Sequence, residues 1–133
     1  MEHDILEMSS AWRVTGFTTE IQDRVLKISD PELAYRFAVD FEEANLDAME
    51  SVVLESDDFR LIYDFSLLKS ERGGDVSRLQ ERILASNEPG LMVLFASDIE
   101  GADIDVFHEY LSGNADTKYI HMLEFELNMK GYE

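Results

Sequence analysis

Cysteine is missing from this chain, so disulfides and thiolate metal sites are excluded and the redox compartment leaves no trace. Proline is nearly missing as well: the two present, Pro31 and Pro89, follow Ser29-Asp30 and Asn87-Glu88. Basic residues are scarce, 11 Lys and Arg against 29 Asp and Glu, for a formal charge of −18. That balance argues against nucleic acid or an anionic membrane as a direct partner, since both need a positive face. No hydrophobic run approaches transmembrane length, and MEHDILEMSS at the start carries acids where a secretory signal needs bases and a long apolar stretch. The expected location is the cytoplasm. A hydrophobic content of 45% is nonetheless that of a globular protein, and 133 residues are enough for one core.

What is present is a repeat. Residues 30–56, 58–86 and 88–113 follow one pattern. Leu33, Leu61 and Leu91 align, as do Phe37, Phe65 and Phe95. Ala34, Ile62 and Met92 follow the leucines, and Ala38, Ser66 and Ala96 follow the phenylalanines, giving an apolar stripe at helical spacing. In the second halves Leu46, Val76 and Ile104 are followed at i+3 by Met49, Leu79 and Phe107 and at i+7 by Val53, Ile83 and Leu111. First halves lie 28 and then 30 residues apart, second halves 30 and then 28, so one two-residue insertion near residues 69–74 accounts for both. Ser29-Asp30-Pro31-Glu32 reads as a capping-box start with Ser29 as the cap, and Asn45, Asp75 and Asp103 stand ready to cap the second helices.

Each unit is therefore expected to be helix, loop, helix, with helices of about ten residues and roughly 15 Å. Helices that short need neighbours to stack on. The expected fold is all-α: a short α-solenoid of three helical-hairpin repeats in one domain, with residues 1–29 as N-terminal cap, 30–113 as repeats and 114–133 as C-terminal capping helix. Residues 18–29 read as a lone second helix, residues 116–129 as a last first helix, and Ile5, Leu6, Met8 and Trp12 as a helix covering the first repeat. A competing reading takes LMVLF (91–95) and YIHMLEFEL (119–127) as strands of an α+β domain, and leaves the repeat unexplained.

The units SDPELAYRFAVD (29–40) and FASDIEGADID (95–105), with the endings VVLES and ILAS, resemble a family of short helical-hairpin repeat proteins of bacteria and phages. Its units read roughly SDPExAYxFAxDxxGADIxxLExxVLxS. The resemblance covers residues 29–113; the middle unit departs from it, with Ser-Glu-Arg-Gly-Gly-Asp (70–75) in place of the acidic loop. It implies an α-solenoid and no particular activity, because such repeats carry many functions.

Signatures of catalysis are absent: no phosphate-cradling glycine loop, no GxSxG elbow, no HExxH. The histidines are His3, His108 and His121; His121 and Glu124 share a helical face, but a metal site in a bundle needs two such motifs and further glutamates. The acidic run from Asp98 fails as a calcium loop, with Ala102 at position 5 and Asp103 at position 6. No enzyme, cofactor or metal is expected.

Charge is uneven. Residues 30–58 hold ten acids and one base, residues 87–126 nine acids and one lysine, while the segment between carries Arg60, Lys69, Arg72, Arg78 and Arg82. Solubility and internal charge balance account for part of this; an acidic surface suited to a basic partner accounts for the rest. The expected function is protein binding without catalysis, as an inhibitor, immunity or anti-defence protein, with mimicry of DNA against a nucleic-acid-binding enzyme as its sharp form. The candidate contacts are Asp40, Glu42, Glu43, Asp47, Asp57 and Asp58, and Asp98, Glu100, Asp103 and Asp105. The alternative is a structural adaptor or homo-oligomeric scaffold using the apolar segment 91–96, in particular Val93 and Leu94, whose surroundings must be dry.

Overall fold

The computed structural model describes Trp12 and residues 16–114, 116–129 and 131, and among these residues every regular element is an α-helix. In chain order they are α1 (Thr19–Ile28), α2 (Pro31–Asp40), α3 (Leu46–Val53), α4 (Phe59–Glu71), α5 (Ser77–Leu84), α6 (Pro89–Asp98), α7 (Ile104–Asn114) and α8 (Thr117–Met129). The competing strand assignment for residues 91–95 and 119–127 is thereby corrected: both segments lie inside helices, α6 and α8. Ile5, Leu6 and Met8 lie outside the described residues. None of the described helices is long and apolar enough to cross a membrane.

Short polar side chains set the helix starts. Thr18, Asp30, Asn45, Asp58 and Asp103 accept the backbone N–H three residues on, at 3.0–3.3 Å. Each satisfies a donor the helix itself cannot use. The cap of α2 is Asp30 and not Ser29, because Ser29 sits in the left-handed region (φ 57°) and closes α1 instead. Its hydroxyl is then free to donate to Glu55 at 3.2 Å. Pro31 and Pro89 occupy first-turn positions, where their missing N–H costs nothing.

The chain packs as two units, Met1–Leu61 and Ile62–Glu133. In the first, α1, α2 and α3 pack on one another. Leu33, Ala34, Phe37 and Ala38 of α2 are buried, as are Val25 of α1 and Met49 and Val53 of α3. Trp12 completes this core: it is fully buried, with its ring 5.2 Å from Phe37 and 6.2 Å from Phe41, both edge-on. In the second unit α6 packs on α5, α7 and α8. Three neighbours explain why α6 is apolar all round: Leu91, Met92, Val93, Phe95 and Ala96 are all buried.

The two units repeat one arrangement at an offset of 58 residues. The bounds of α6 are those of α2 plus 58, and α7 begins 58 residues after α3. Ser29 (φ 57°) and Asn87 (φ 59°) take the same left-handed turn. Gln22 Oε1 accepts from Asn45 N–H at 2.8 Å, and Gln80 Oε1 accepts from Asp103 N–H at 2.7 Å, the same bond at the same spacing. In α3 the matching register position is Glu50, a carboxylate only 2% exposed and engaged with neighbours.

The insertion near 69–74 lies where expected but is taken up mainly as helix. α4 has 13 residues where α2 and α6 have 10. It ends in a Schellman turn: Gly74 N–H donates to Lys69 O at 2.8 Å and Gly73 N–H to Ser70 O at 3.0 Å, with Gly73 at φ 77°. Gly74 also lies against the buried Lys69 side chain, and a Cβ there would sit 2.6 Å from Lys69 Cγ and 3.2 Å from Lys69 O. Gly74→Ala is therefore expected to destabilise the chain by about 1–3 kcal/mol, the usual cost of overpacking. Urea denaturation checks this; an unchanged midpoint would show that Lys69 swings away freely.

Candidate functional site

The acidic residues singled out from the sequence all lie on the surface. Asp40, Glu42, Glu43, Asp47, Asp57 and Asp58 are exposed in the first unit, and Asp98, Glu100, Asp103 and Asp105 in the second. They form two matching loops. Asp40 and Asp98 are the last residues of α2 and α6; Glu42 and Glu100 follow in the loop; Asp47 and Asp105 stand in the first turns of α3 and α7. In the first-turn positions their charge faces the positive end of the helix dipole.

The backbone of both loops is built alike. Phe41 N–H donates to Phe37 O and Ile99 N–H to Phe95 O, at 3.1 and 3.0 Å. Ala44 N–H then donates to Phe41 O and Ala102 N–H to Ile99 O, both at 3.2 Å. The glutamines described above hold the last N–H of each loop. In the second loop Ser70 Oγ also donates to Glu100 O at 2.7 Å. Where the first loop has Glu43, the second has Gly101 at φ 97°, so the second loop carries one acid fewer at that place but gains Asp103 where the first has Asn45.

Six of the ten acids are engaged locally as well, Asp47 and Asp57 among them. Trp12 Nε1 donates to Asp40 Oδ2 at 2.6 Å, and Tyr63 Oη donates to Asp98 Oδ2 at 2.8 Å. Two unrelated aromatic donors thus hold the equivalent carboxylate of each unit. Asp58 and Asp103 cap α4 and α7. Glu42, Glu43 and Glu100 in the loops and Asp105 in the first turn of α7 are exposed and make no such bond. Trp12, Tyr63, Gln22 and Gln80 were not among the candidate contact residues; the last two had a detectable signal, the pair IQDR and LQER at an offset of 58.

None of Arg60, Lys69, Arg72, Arg78 and Arg82 is without an interaction partner. Asp75, ahead of α5, accepts from the hydroxyl and the N–H of Ser77 at 2.6 and 3.0 Å. These bonds, with the charge of Lys69 as a smaller aid, hold its carboxyl below the ordinary 3.8. Its contribution is in place at neutral pH and is lost only as pH falls through that lowered value.

Among the described residues no three His, Asp or Glu side chains are placed to hold a metal ion. Glu124 does not join His121; its Oε1 lies 3.5 Å from Nε2 of His108, on the neighbouring helix. His121 lines a shallow surface groove on α8 with Lys118, Met122, Phe125 and Glu126. His3 lies outside the described residues. Of the apolar candidates, Val93 is buried in the second unit, 2% exposed, and Leu94 remains at the surface, 37% exposed. Comparison of this chain with protein-family models, with curated proteins and with solved structures finds no match.

Proposed function

We propose that this chain is a non-catalytic protein-binding module that presents its two acidic loops to a basic surface on another protein. The observation that carries this reading is the repetition of the same exposed carboxylates, at the same structural positions, 58 residues apart: Asp40 and Asp98, Glu42 and Glu100, Asp47 and Asp105. Charge added only for solubility need not recur at matched positions on loops whose last N–H is held by the same glutamine clasp. On this reading the hairpins α2–α3 and α6–α7 belong to a short helical-repeat scaffold, an α-solenoid, whose loops are the working surface. A basic site that normally holds nucleic acid is the partner class that rows of carboxylates fit best, since they can stand in for phosphates.

The test is capture by the tagged full chain from a nuclease-treated bacterial lysate, eluted with rising salt and read by mass spectrometry. The expected result is a stoichiometric partner with a basic nucleic-acid site, released as salt screens the pairing. Bait recovered alone, or a partner held equally at low and high salt, would sink the reading. A second reading, a self-assembling scaffold, draws on a different surface, the outer side of α8.

A further inference from the structure

We propose that the outer face of α8 is a self-docking surface, on which a second copy of this chain lays its own α8 antiparallel. α8 is apolar on two sides. Inward it buries Leu123 and half-buries Tyr119, Ile120 and Leu127 as it packs on α6 and α7. Outward, Met122, Phe125 and Met129 are 46%, 63% and 72% exposed. Their spacing of three and four residues makes one continuous stripe, where a surface helix in water carries polar groups. Phe125 and Met129 are the most exposed large apolar side chains among the described residues.

Charge selects the occupant. Two copies of a chain of charge −18 repel one another overall. The α8 groove is different: Lys118 and His121 line it toward the N-terminal end and Glu126 toward the C-terminal end. Two α8 grooves, each lined by one lysine and one glutamate, can therefore meet without adding to that repulsion. A parallel pairing would set Lys118 against Lys118 and Glu126 against Glu126. An antiparallel pairing centred between Met122 and Phe125 sets Met122 of one copy on Phe125 of the other, and brings Lys118 and His121 of each beside Glu126 of the other. It also opposes the two helix dipoles. A helix of 13 residues is about 20 Å long, so the contact is small and the dimer weak.

Salt gives the pairing a signature opposite to that of acidic-loop binding. Screening weakens capture of a basic partner but relieves repulsion between two acidic copies, so self-association strengthens as salt rises. The two readings can thus fail separately.

The test is sedimentation equilibrium of the full chain, with Phe125→Asp as the disrupting variant. Because the native chain has no cysteine, Met122→Cys and Met129→Cys each introduce a single reporter thiol. The average mass is expected to rise above the monomer as concentration reaches about 100 μM, and Phe125→Asp to weaken association by roughly tenfold or more. Under mild oxidation Met122→Cys should cross-link far faster than Met129→Cys. In the antiparallel register the two Met122 positions lie within about 5 Å along the axis, whereas the two Met129 positions lie about 16 Å apart. Phe125 is largely exposed, so its substitution leaves the fold intact, which circular dichroism verifies. A monomeric mass throughout assigns the face to another protein or to a further part of its own chain, and overturns the proposal. So does unchanged association of Phe125→Asp, or equal cross-linking of the two cysteine variants.

Discussion

Replacing Phe37 by alanine is expected to destabilise the chain by about 3–5 kcal/mol, the usual cost of emptying a buried aromatic site. Phe37 is fully buried among three other rings: Trp12 at 5.2 Å, Phe17 at 5.9 Å and Phe41 at 5.0 Å. Removing it takes away one partner from each of these pairs and leaves a void between α2 and Trp12. The void cannot close easily, because Trp12 is also tied to Asp40 by its indole N–H. For a chain of this size the loss corresponds to a fall in Tm of roughly 10 °C or more. Trp12 is the only tryptophan, so its emission reports on the first unit directly. Phe125→Ala, at a largely exposed position, serves as the control and should shift stability by no more than about 0.5 kcal/mol. A loss below about 1 kcal/mol for Phe37→Ala would mean that the cluster around Trp12 is not the core of that unit.

The same residue shows what was legible in advance. Phe37, Phe65 and Phe95 stand out because a buried helical face repeats its apolar residues, and all three prove fully buried. Helices α1 and α8 lie where a lone second helix and a lone first helix were expected, for the same reason. Asn45 and Asp103 cap as foreseen, since capping is local chemistry within three residues. The misassignment of Ser29 has a local cause too: two adjacent residues can each cap, and the choice depends on the preceding helix closing through a left-handed residue. The bonds from Trp12 to Asp40 and from Tyr63 to Asp98 span 28 and 35 residues and obey no period, so nothing in the pattern announces them. The glutamine clasps lay between these cases. Their offset of 58 is the sum of the two repeat spacings, but a polar residue on a half-exposed face escapes a reading built on apolar periodicity. The ten acids are on the surface as expected; what the sequence could not show was that they divide into residues with a structural bond and residues without one.

That division decides how the acidic loops are best tested. Asp40 and Asp98 are poor targets, because their loss strips an aromatic donor of its partner and confuses binding with stability. Glu42, Glu43, Glu100 and Asp105 are exposed and carry no such bond, so changing all four to lysine is expected to leave helix content nearly unchanged, with a small fall in Tm from the lost favourable charge of Asp105 at the start of α7. Each reversal turns one attraction at a basic interface into a repulsion, worth roughly 1 kcal/mol at low salt. Four together amount to about 4 kcal/mol, a weakening of about 10³-fold in Kd for the captured partner. The effect should shrink as ionic strength rises, since exposed charges are screened within about 10 Å at 0.1 M salt. Net charge alone would produce part of such a change, because each reversal adds two charges and the four take the chain from −18 to about −10. A second variant separates the two causes: Glu20, Asp23, Glu81 and Glu109, exposed and outside the loop segments in sequence, changed to lysine give the same total charge. If the loops are the binding surface, this control loses only the part of affinity due to long-range attraction, and titration calorimetry should place it within about tenfold of the native chain. If the control falls as far as the loop variant, the partner responds to bulk charge and the matched carboxylates at 42, 100 and 105 have no special place in the contact.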